Sequence, residues 1–181
     1  MSIKSAVTIS LVKEAEGGPF VFWHDLDAGC AKAAELGYDA VEVFAPNAAT
    51  IPIDQLRQLT DEHNLQVAAV GTGGGWVIHK WHLCQPDAAS RENAKDFIKG
   101  IIDSGAQLSA PAIIGSMQGR FEGEVAKEQA HDYLRQALSN AGFLNIHMKE
   151  ICQDHNVIGV QRLKKGHHVL CAIQEITFIT V

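Results

Sequence analysis

The sequence predicts an α/β fold in which a parallel sheet is covered by helices. Two observations predict it: short, almost wholly apolar segments alternate with amphipathic segments of helical period, and this pair recurs four times. The repeat spans roughly 30–40 residues, the length of one strand–helix unit. Buried parallel strands need helices against them, which leaves two architectures open, the doubly wound sheet and the eight-stranded barrel.

The four apolar segments are the predicted strands, near residues 6–12, 40–44, 66–70 and 112–115. Helix-capping residues follow them in the sequence. The predicted helices run from Asp25 or Asp27 to Leu36, from Pro52 and Asp54 at the start through Glu62, from Asp87 to about Ser104, and from Val125 to about Asn140. Gly37 ends the first helix from a position at which positive φ costs glycine nothing.

Beyond residue 140 the strand–helix period is lost. Residues 145–156 suit a helix and 157–160 a fifth strand, whereas 168–181 form a long apolar, β-branched run with no helix after it. We interpret the chain as a single domain over 1–181, with regular units over 1–140 and a divergent tail over 141–181.

Composition and charge exclude several classes of protein. A net charge of −6, a pI of about 5.8 and dispersed basic residues disfavour a nucleic-acid partner. The sequence contains no apolar run of about 18 residues, so no membrane span is predicted, and its first residues lack the pattern of a signal peptide. The cysteines Cys30, Cys84, Cys152 and Cys171 form no CxxC pair, which predicts reduced thiols in a cytoplasmic protein.

The second predicted strand, AVEVF, is interrupted by a single charge, Glu42. In parallel strand–helix folds the chemistry lies at the carboxyl ends of the strands and in the loops that follow. A carboxylate inside a strand is costly to bury unless it is paired or functional, so Glu42 is a catalytic candidate for moving a proton. A structural ion pair or a solvated strand end is the competing interpretation.

The loop after the third predicted strand carries glycines at 71 and 73–75, followed by Trp76, His79 and His82. Imidazoles transfer protons or bind metal and indoles stack on sugar rings. His79 is therefore a catalytic candidate, and Trp76 and His82 are substrate-binding candidates, with a packed lid as the alternative. The glycine run lacks the GK[ST] of a phosphate-binding loop, and a tight, closely packed turn explains it better.

The loop after the fourth predicted strand adds Ser116, Gln118 and Arg120 as substrate-binding candidates. Arg120 suits a phosphate or carboxylate, and equally an ion pair with Glu122 or Glu124. No Ser-His-Asp order, G-x-S-x-G or HExxH occurs in the chain. These residues alone predict an α/β protein that binds a small polar ligand.

The stretch from residue 70 to 120 resembles the sugar phosphate isomerase/epimerase family, the xylose isomerase-like TIM barrels. Three motifs carry the resemblance: GTGGGWV after the third strand, PDAASRENA at a helix start, and APAIIGSMQGR around the fourth strand. LGYDAVEVF at 36–44 also resembles the family's second strand, and the likeness covers about residues 5–140. It implies a partial (β/α) TIM barrel of about four to five strand–helix units with a divergent tail.

The resemblance also implies an activity and a cofactor. Members of the family isomerise or epimerise sugars and sugar phosphates by proton transfer next to a carbonyl, with a divalent metal such as Mn, Mg or Co. Their metal ligands lie on later strands, beginning with the Glu of an E-P-x-N-R strand. Here that place reads HNVIGVQRLKKGHH at 155–168, and nothing around Glu175 matches either, so we assign no metal ligand.

Two explanations of the tail remain open. The gene is truncated or frame-shifted after about residue 140, which would impair the isomerase, or the tail is a new ending that closes the sheet differently. A non-catalytic half-barrel remnant or interaction module is the alternative function, and a metal-dependent endonuclease of the same superfamily is disfavoured by the acidic charge. An incomplete barrel exposes sheet edges and an apolar face, which predicts a homo-oligomer.

Overall fold

The computed structural model describes residues 4–121, 123–140 and 159–160 of the chain. Its strands are β1 Ala6–Ser10, β2 Phe22–Trp23, β3 Ala40–Phe44, β4 Gln66–Gly71, β5 Ala112–Ile113 and β6 Gly159–Val160. Its α-helices are α1 Leu26–Glu35, α2 Ile53–Glu62, α3 Gly74–His79, α4 Ala88–Gln107 and α5 Lys127–Asn140, and its 3₁₀ turns are Lys13–Ala15, Ala48–Thr50 and Gly115–Gln118. None of the described helices is long and apolar enough to cross a membrane.

The strands form one sheet in the order β2-β1-β3-β4-β5-β6. The first five are parallel to one another, which confirms the parallel order predicted for β1, β3, β4 and β5. With the helices between them, they make a partial TIM-barrel fold. The register aligns the carboxyl ends, because Ser10 pairs with Phe44, Phe44 with Gly71, and Gly71 with Ile113. The loops that carry the candidate residues begin at these aligned carboxyl ends.

Two short strands at the edges of the sheet differ from the sequence prediction. β2 lies in a segment predicted as a loop and pairs with Ile9 and Ser10 of β1. A strand of two residues shows no period, so the hydrophobic pattern could not predict it. At the other edge, β6 lies within the predicted fifth strand but pairs antiparallel with β5, which does not continue a parallel barrel. The predicted helix at 145–156, the apolar run at 168–181 and Glu175 lie outside the described residues.

Helix ends follow the capping residues that the sequence offers. The Asp25 carboxylate accepts a hydrogen bond of 2.9 Å from a backbone amide in the first turn of α1, and Asp87 does the same for α4 at 2.7 Å. Such a cap stabilises a helix by roughly 1 kcal/mol. Gly37 takes a φ of +80° after α1, as predicted. The Ser104 hydroxyl bonds back to the carbonyl four residues earlier, and α4 runs past the predicted end there to Gln107.

The hydrophobic core lies between the sheet and the helices. It contains alternate strand residues and the apolar faces of α2, α4 and α5, including Ile9, Val41, Val43, Val70, Leu56, Ile98, Ile101 and Leu134. Burial of each such side chain contributes roughly 1.5–3 kcal/mol. The intervening residues of β1 and β3, which are Thr8, Ser10, Glu42 and Phe44, lie on the opposite face of the sheet. That face therefore carries the one charged side chain of these two strands.

Candidate functional site

The loop after β1 crosses the carboxyl ends of the neighbouring strands. Its 3₁₀ turn contacts α3, which follows β4, and the chain then returns to pair as β2 on the far side of β1. On its return, the Phe20 ring packs on Phe44 with ring centroids 5.0 Å apart, and on Trp23 at 5.7 Å. The Trp23 indole N–H donates to the Phe20 carbonyl at 3.1 Å. An aromatic cluster of Phe20, Trp23 and Phe44 therefore lies beside the end of β3.

Glu42 lies in the middle of β3, on the face opposite the helices. The residue keeps a little exposed surface, but its carboxyl group is largely enclosed by protein. Thr8 is its register partner across the β1–β3 pair, so the Thr8 side chain lies next to that of Glu42 on the same face of the sheet. Burial raises the pKa of Glu42 to about 7, and the Thr8 side chain lowers it by less. A carboxyl group with that pKa can both accept and return a proton near neutral pH.

The glycine run after β4 brings Glu42, Phe44 and Ser116 together. A Cβ at Gly71 would lie 3.4 Å from Glu42 Oε1 and 3.0 Å from the Phe44 ring. A Cβ at Gly73 would lie 2.6 Å from the same ring and 3.4 Å from Ser116 Oγ. These glycines therefore leave room for the Phe44 ring, and the tight turn predicted from the sequence agrees with this packing.

The loop predicted after β4 contains a short helix, α3, that the sequence did not predict. A Cβ at Gly74 would collide with the carbonyl oxygen of Ala45, and one at Gly75 with the side chain of Met117, 2.7 Å away. The helix therefore packs this closely because its first two residues have no side chains. Glycine is a poor helix former, which is why the pattern indicated a loop.

His79 and His82 have different surroundings. His79, at the end of α3, is exposed and its ring stacks on Trp81 with centroids 4.2 Å apart. His82 is only 7% exposed, its Nδ1 accepts a hydrogen bond from the Cys84 amide at 3.2 Å, and its ring lies 5.5 Å from that of Trp76. Trp76 is partly buried. Of these candidates, the structure brings His82 and Trp76 into contact and leaves His79 stacked at the surface.

The loop after β5 packs on the loop after α3. The Leu83 amide donates to the Met117 carbonyl at 2.8 Å, and the Cys84 thiol donates to the Gln118 carbonyl at 3.1 Å. Ser116 is exposed beside the glycine run, Gln118 is partly buried, and Arg120 is exposed. Ser116 is thus the candidate of this loop that lies nearest to the Glu42 face.

The described residues do not offer a metal site. Across 4–121, 123–140 and 159–160, no group of three His, Cys, Asp or Glu side chains could hold a metal ion. Cys30 and Cys84 are free thiols, and burial raises the pKa of each to about 11, so both stay protonated at neutral pH. Cys152 and Cys171 lie outside the described residues.

A cavity of about 450 Å³ lies at the opposite end of the sheet. It is polar and lined by residues around the amino ends of β1, β3 and β4: Lys4, Tyr38, Asp39, Thr60, Asp61, Asn64, Leu65 and Gln66. Two of its charged groups are already engaged, because the Lys4 ammonium donates to Gln66 and the Ser5 amide donates to Asp39. In parallel strand–helix barrels this end serves stability, whereas the carboxyl ends of the strands hold the chemistry.

Sequence reasoning did not select Thr8, Phe20, Trp23 or Phe44, which surround Glu42 or its neighbours. Three aromatic residues within PFVFW at 19–23 could have predicted the aromatic cluster in the loop after β1. Nothing local marks Thr8, because its role depends on the pairing of β1 with β3, and that pairing joins residues far apart in the sequence.

Comparisons with known proteins agree with the fold described above. A sequence model of the xylose isomerase-like TIM-barrel family matches residues 30–165. The match begins and ends later than the stretch over which the motifs resemble that family. No curated protein matches the chain at a significant level.

Solved structures similar to this chain include ketose epimerases. The D-psicose 3-epimerase of Clostridium cellulolyticum H10, solved with D-tagatose, is 16% identical over 76% of this chain and 47% of that one, with a TM-score of 0.50. A D-psicose 3-epimerase solved in the presence of D-fructose is 16% identical over 75% and 46%, with a TM-score of 0.50. The D-allulose 3-epimerase of Methylomonas sp., in complex with D-allulose, is 17% identical over 77% and 49%, with a TM-score of 0.47. The chain spans about half the length of these structures, and at such identities the likeness shows the fold.

Proposed function

The chain belongs to the xylose isomerase-like TIM-barrel family, and from that premise we propose that it carries part of a sugar isomerase or epimerase site, with Glu42 as its proton-transfer group. The single observation that supports this most is the state of Glu42. It is the carboxyl group on the face of β3 opposite the helices, and burial raises its pKa to about 7. A general base works best when its pKa lies near the working pH.

The proposed reaction is proton transfer next to a sugar carbonyl. The Glu42 carboxylate removes the proton from the carbon beside the carbonyl, and the electron pair of that C–H bond moves onto the carbonyl oxygen to form an enediolate. The protonated carboxyl group then returns a proton to carbon. An epimer forms when the same carbon instead takes a proton from water on the opposite face, and Glu42 then loses its proton to solvent. An isomer forms when Glu42 returns its proton to the former carbonyl carbon while the hydroxyl proton passes to the other oxygen.

The other site residues have proposed roles according to where they lie. His79 is the second catalytic candidate, and Trp76 and His82 form an aromatic pair against which a sugar ring can pack. Ser116 and Gln118 can hydrogen-bond to sugar hydroxyls, and the exposed Arg120 guanidinium suits the phosphate of a sugar phosphate. Ketohexoses are the first sugars to test, because the similar solved structures contain D-tagatose and D-fructose.

The divalent metal implied for the family has no ligand set among the described residues. We therefore assign no residue to Mn, Mg or Co and derive no step through a metal. We also propose a single domain, a cytoplasmic location and no nucleic-acid partner, on the basis of composition and charge.

Self-association is a further proposal. Among the described residues, β2 pairs only with Ile9 and Ser10, so the rest of the outer edge of β1 is available to a second copy.

Solvent deuterium exchange tests the proposed function directly. The full chain is incubated with D-psicose, D-tagatose or D-fructose in D₂O, with Mn, Mg or Co added, and proton NMR follows loss of the signal next to the carbonyl. We expect exchange by the wild-type chain and a loss of about 100-fold or more in Glu42→Gln. Glu62→Gln, an exposed carboxyl group on α2, is the matched control and should exchange like the wild type. Absence of exchange by the wild type with all three sugars would contradict an enzyme and favour the non-catalytic module.

A further inference from the structure

The Phe44 ring is a neighbour of the Glu42 carboxyl group on the side of the strand ends. The two residues stand two positions apart on the same face of β3. A Cβ at Gly71, on the adjacent strand, would lie 3.4 Å from Glu42 Oε1 and 3.0 Å from Phe44 Cδ2. One point therefore borders both groups, and the edge of the ring lies next to the carboxyl oxygen.

The Phe44 ring is held in this position from several directions. A Cβ at Gly73 would lie 2.6 Å from its Cε2 and 3.0 Å from its Cζ, so the ring lies directly on the glycine run after β4. Phe20, in the loop after β1, packs on the ring with centroids 5.0 Å apart. The Phe44 carbonyl oxygen accepts a hydrogen bond of 2.8 Å from the Leu11 amide. The ring thus occupies space that water would otherwise fill beside the carboxyl group.

The remaining neighbours of Glu42 bring no charge to it. Its register partners are Thr8 on β1 and Ala69 on β4, neither of which is ionisable. Burial is the largest cause of its raised pKa, and no charged side chain is among the causes. The atoms that keep water from this carboxyl group therefore decide how firmly it holds a proton.

We propose that Phe44 is a positioning residue for the reaction, whose ring, held by Phe20 against the glycine run, keeps water from the Glu42 carboxyl group. This inference rests on the proposed function and deepens it, because it names what shields the base. A carboxylate that is removed from water loses the hydration that favours its charge, so it becomes a stronger base. Phe44 acts through Glu42 and needs no contact with the sugar.

Substitutions at Phe44 separate this role from simple strand packing. Phe44→Val keeps an apolar, β-branched side chain without the outer ring atoms, whereas Phe44→Leu keeps carbons at the Cδ position, where the ring borders the carboxyl group. The pKa of Glu42 is measured without sugar, from the ¹³C carboxyl signals of glutamate-labelled protein, with Glu42→Gln to identify the resonance. We expect Phe44→Val to lower this pKa by about one unit or more and Phe44→Leu to leave it within about 0.3 units of the wild type.

A matched control removes an aromatic ring elsewhere. Phe97→Val, in α4, takes away a partly buried ring that packs on Trp81 and should leave the pKa of Glu42 unchanged. The pH midpoint of sugar deuterium exchange should move downward in Phe44→Val, by the same amount as the pKa. A loss of packing alone would lower the exchange rate at every pH and leave that midpoint in place.

The outcomes decide the two proposals independently. An unchanged pKa of Glu42 in Phe44→Val, or an equal drop in Phe44→Leu or Phe97→Val, overturns the role of Phe44 even when the wild type exchanges deuterium. Absence of exchange by the wild type overturns the proposed function, while the titration still decides whether Phe44 shields the carboxyl group. If Phe44→Val does not fold, Phe20→Ala removes the residue that holds the ring and should lower the pKa of Glu42 by about 0.5 units. An unchanged pKa in that variant overturns the proposal.

Discussion

The Thr72 hydroxyl donates a hydrogen bond to the Ile114 carbonyl oxygen, 2.7 Å away, and Thr72 has no exposed surface. The Thr72 amide also donates to the Ile113 carbonyl at 3.0 Å, so two bonds join the residue after β4 to the end of β5 and the residue that follows it. This contact fixes the glycine turn relative to the loop that carries Ser116. The separation of the site residues on these two loops therefore depends on a buried threonine that touches no substrate.

Removal of that hydroxyl should destabilise the fold. We expect Thr72→Val to lower the free energy of unfolding by about 1–3 kcal/mol, because the change leaves a buried carbonyl without one of its donors. Urea denaturation followed by circular dichroism measures the loss. Thr72→Ser keeps the donor and should recover most of the stability, so an equal loss in both variants would assign the effect to packing of the methyl group instead.

Glu42 should make stability depend on pH in a defined direction. Its pKa rises from 4.5 to about 7 on folding, so its contribution to stability is fully present below about pH 4.5 and is lost as the pH rises through about 7. A shift of that size corresponds to about 3 kcal/mol between the two limits. We therefore expect Glu42→Gln to match the wild type near pH 4.5 and to be more stable by roughly 2–3 kcal/mol at pH 8.5.

Chemical denaturation across that pH range measures the difference. Glu62→Gln provides the comparison, since it removes one negative charge from the exposed face of α2. A pH-dependent gain of the same size in Glu62→Gln would show that net charge, and not the burial of Glu42, is responsible.

The start of α3 should not tolerate a side chain. We expect Gly74→Ala to lower the free energy of unfolding by about 2–3 kcal/mol, because its Cβ would collide with the backbone carbonyls of Ala45 and Pro46, which cannot rotate away. Gly100→Ala, inside α4, meets only the Cβ of Ala48 at 3.0 Å and gains helix propensity, so it should stay within about 1 kcal/mol of the wild type. Thermal unfolding of the two variants side by side makes the comparison, and equal losses would contradict the steric origin.

The parts of the fold that sequence predicted are those with local causes. A few neighbouring residues are enough to predict each of these features: the apolar runs of β3 and β4, the helix caps Asp25 and Asp87, and the single charge at Glu42. The pairing of β2 with β1 and the packing of Phe20 on Phe44 could not be predicted in this way, since each joins segments by tertiary contact.

The two histidines show the same limit within the candidate site. The sequence put both in one loop of the candidate site, yet His79 lies at the surface and His82 is buried. His82 is buried because Gly119, with a φ of +78°, has no side chain, and a Cβ there would collide with the imidazole. The burial of one residue thus depends on a glycine in a different loop, which spacing alone does not encode.

Gly71→Ala tests whether a sugar reaches Glu42 from the side of β4. The added methyl group would lie 3.4 Å from Glu42 Oε1, an ordinary contact, and 3.0 Å from the Phe44 ring, which must shift by a few tenths of an ångström. We therefore expect the variant to fold, with a loss of stability of about 1–2 kcal/mol. Deuterium exchange into the sugar should fall by about tenfold or more, because the methyl group fills the space next to the carboxyl oxygen and keeps the reacting carbon at a distance. Gly100→Ala, remote from this face, should exchange like the wild type. Full exchange by a folded Gly71→Ala chain would mean that the sugar approaches Glu42 from another side.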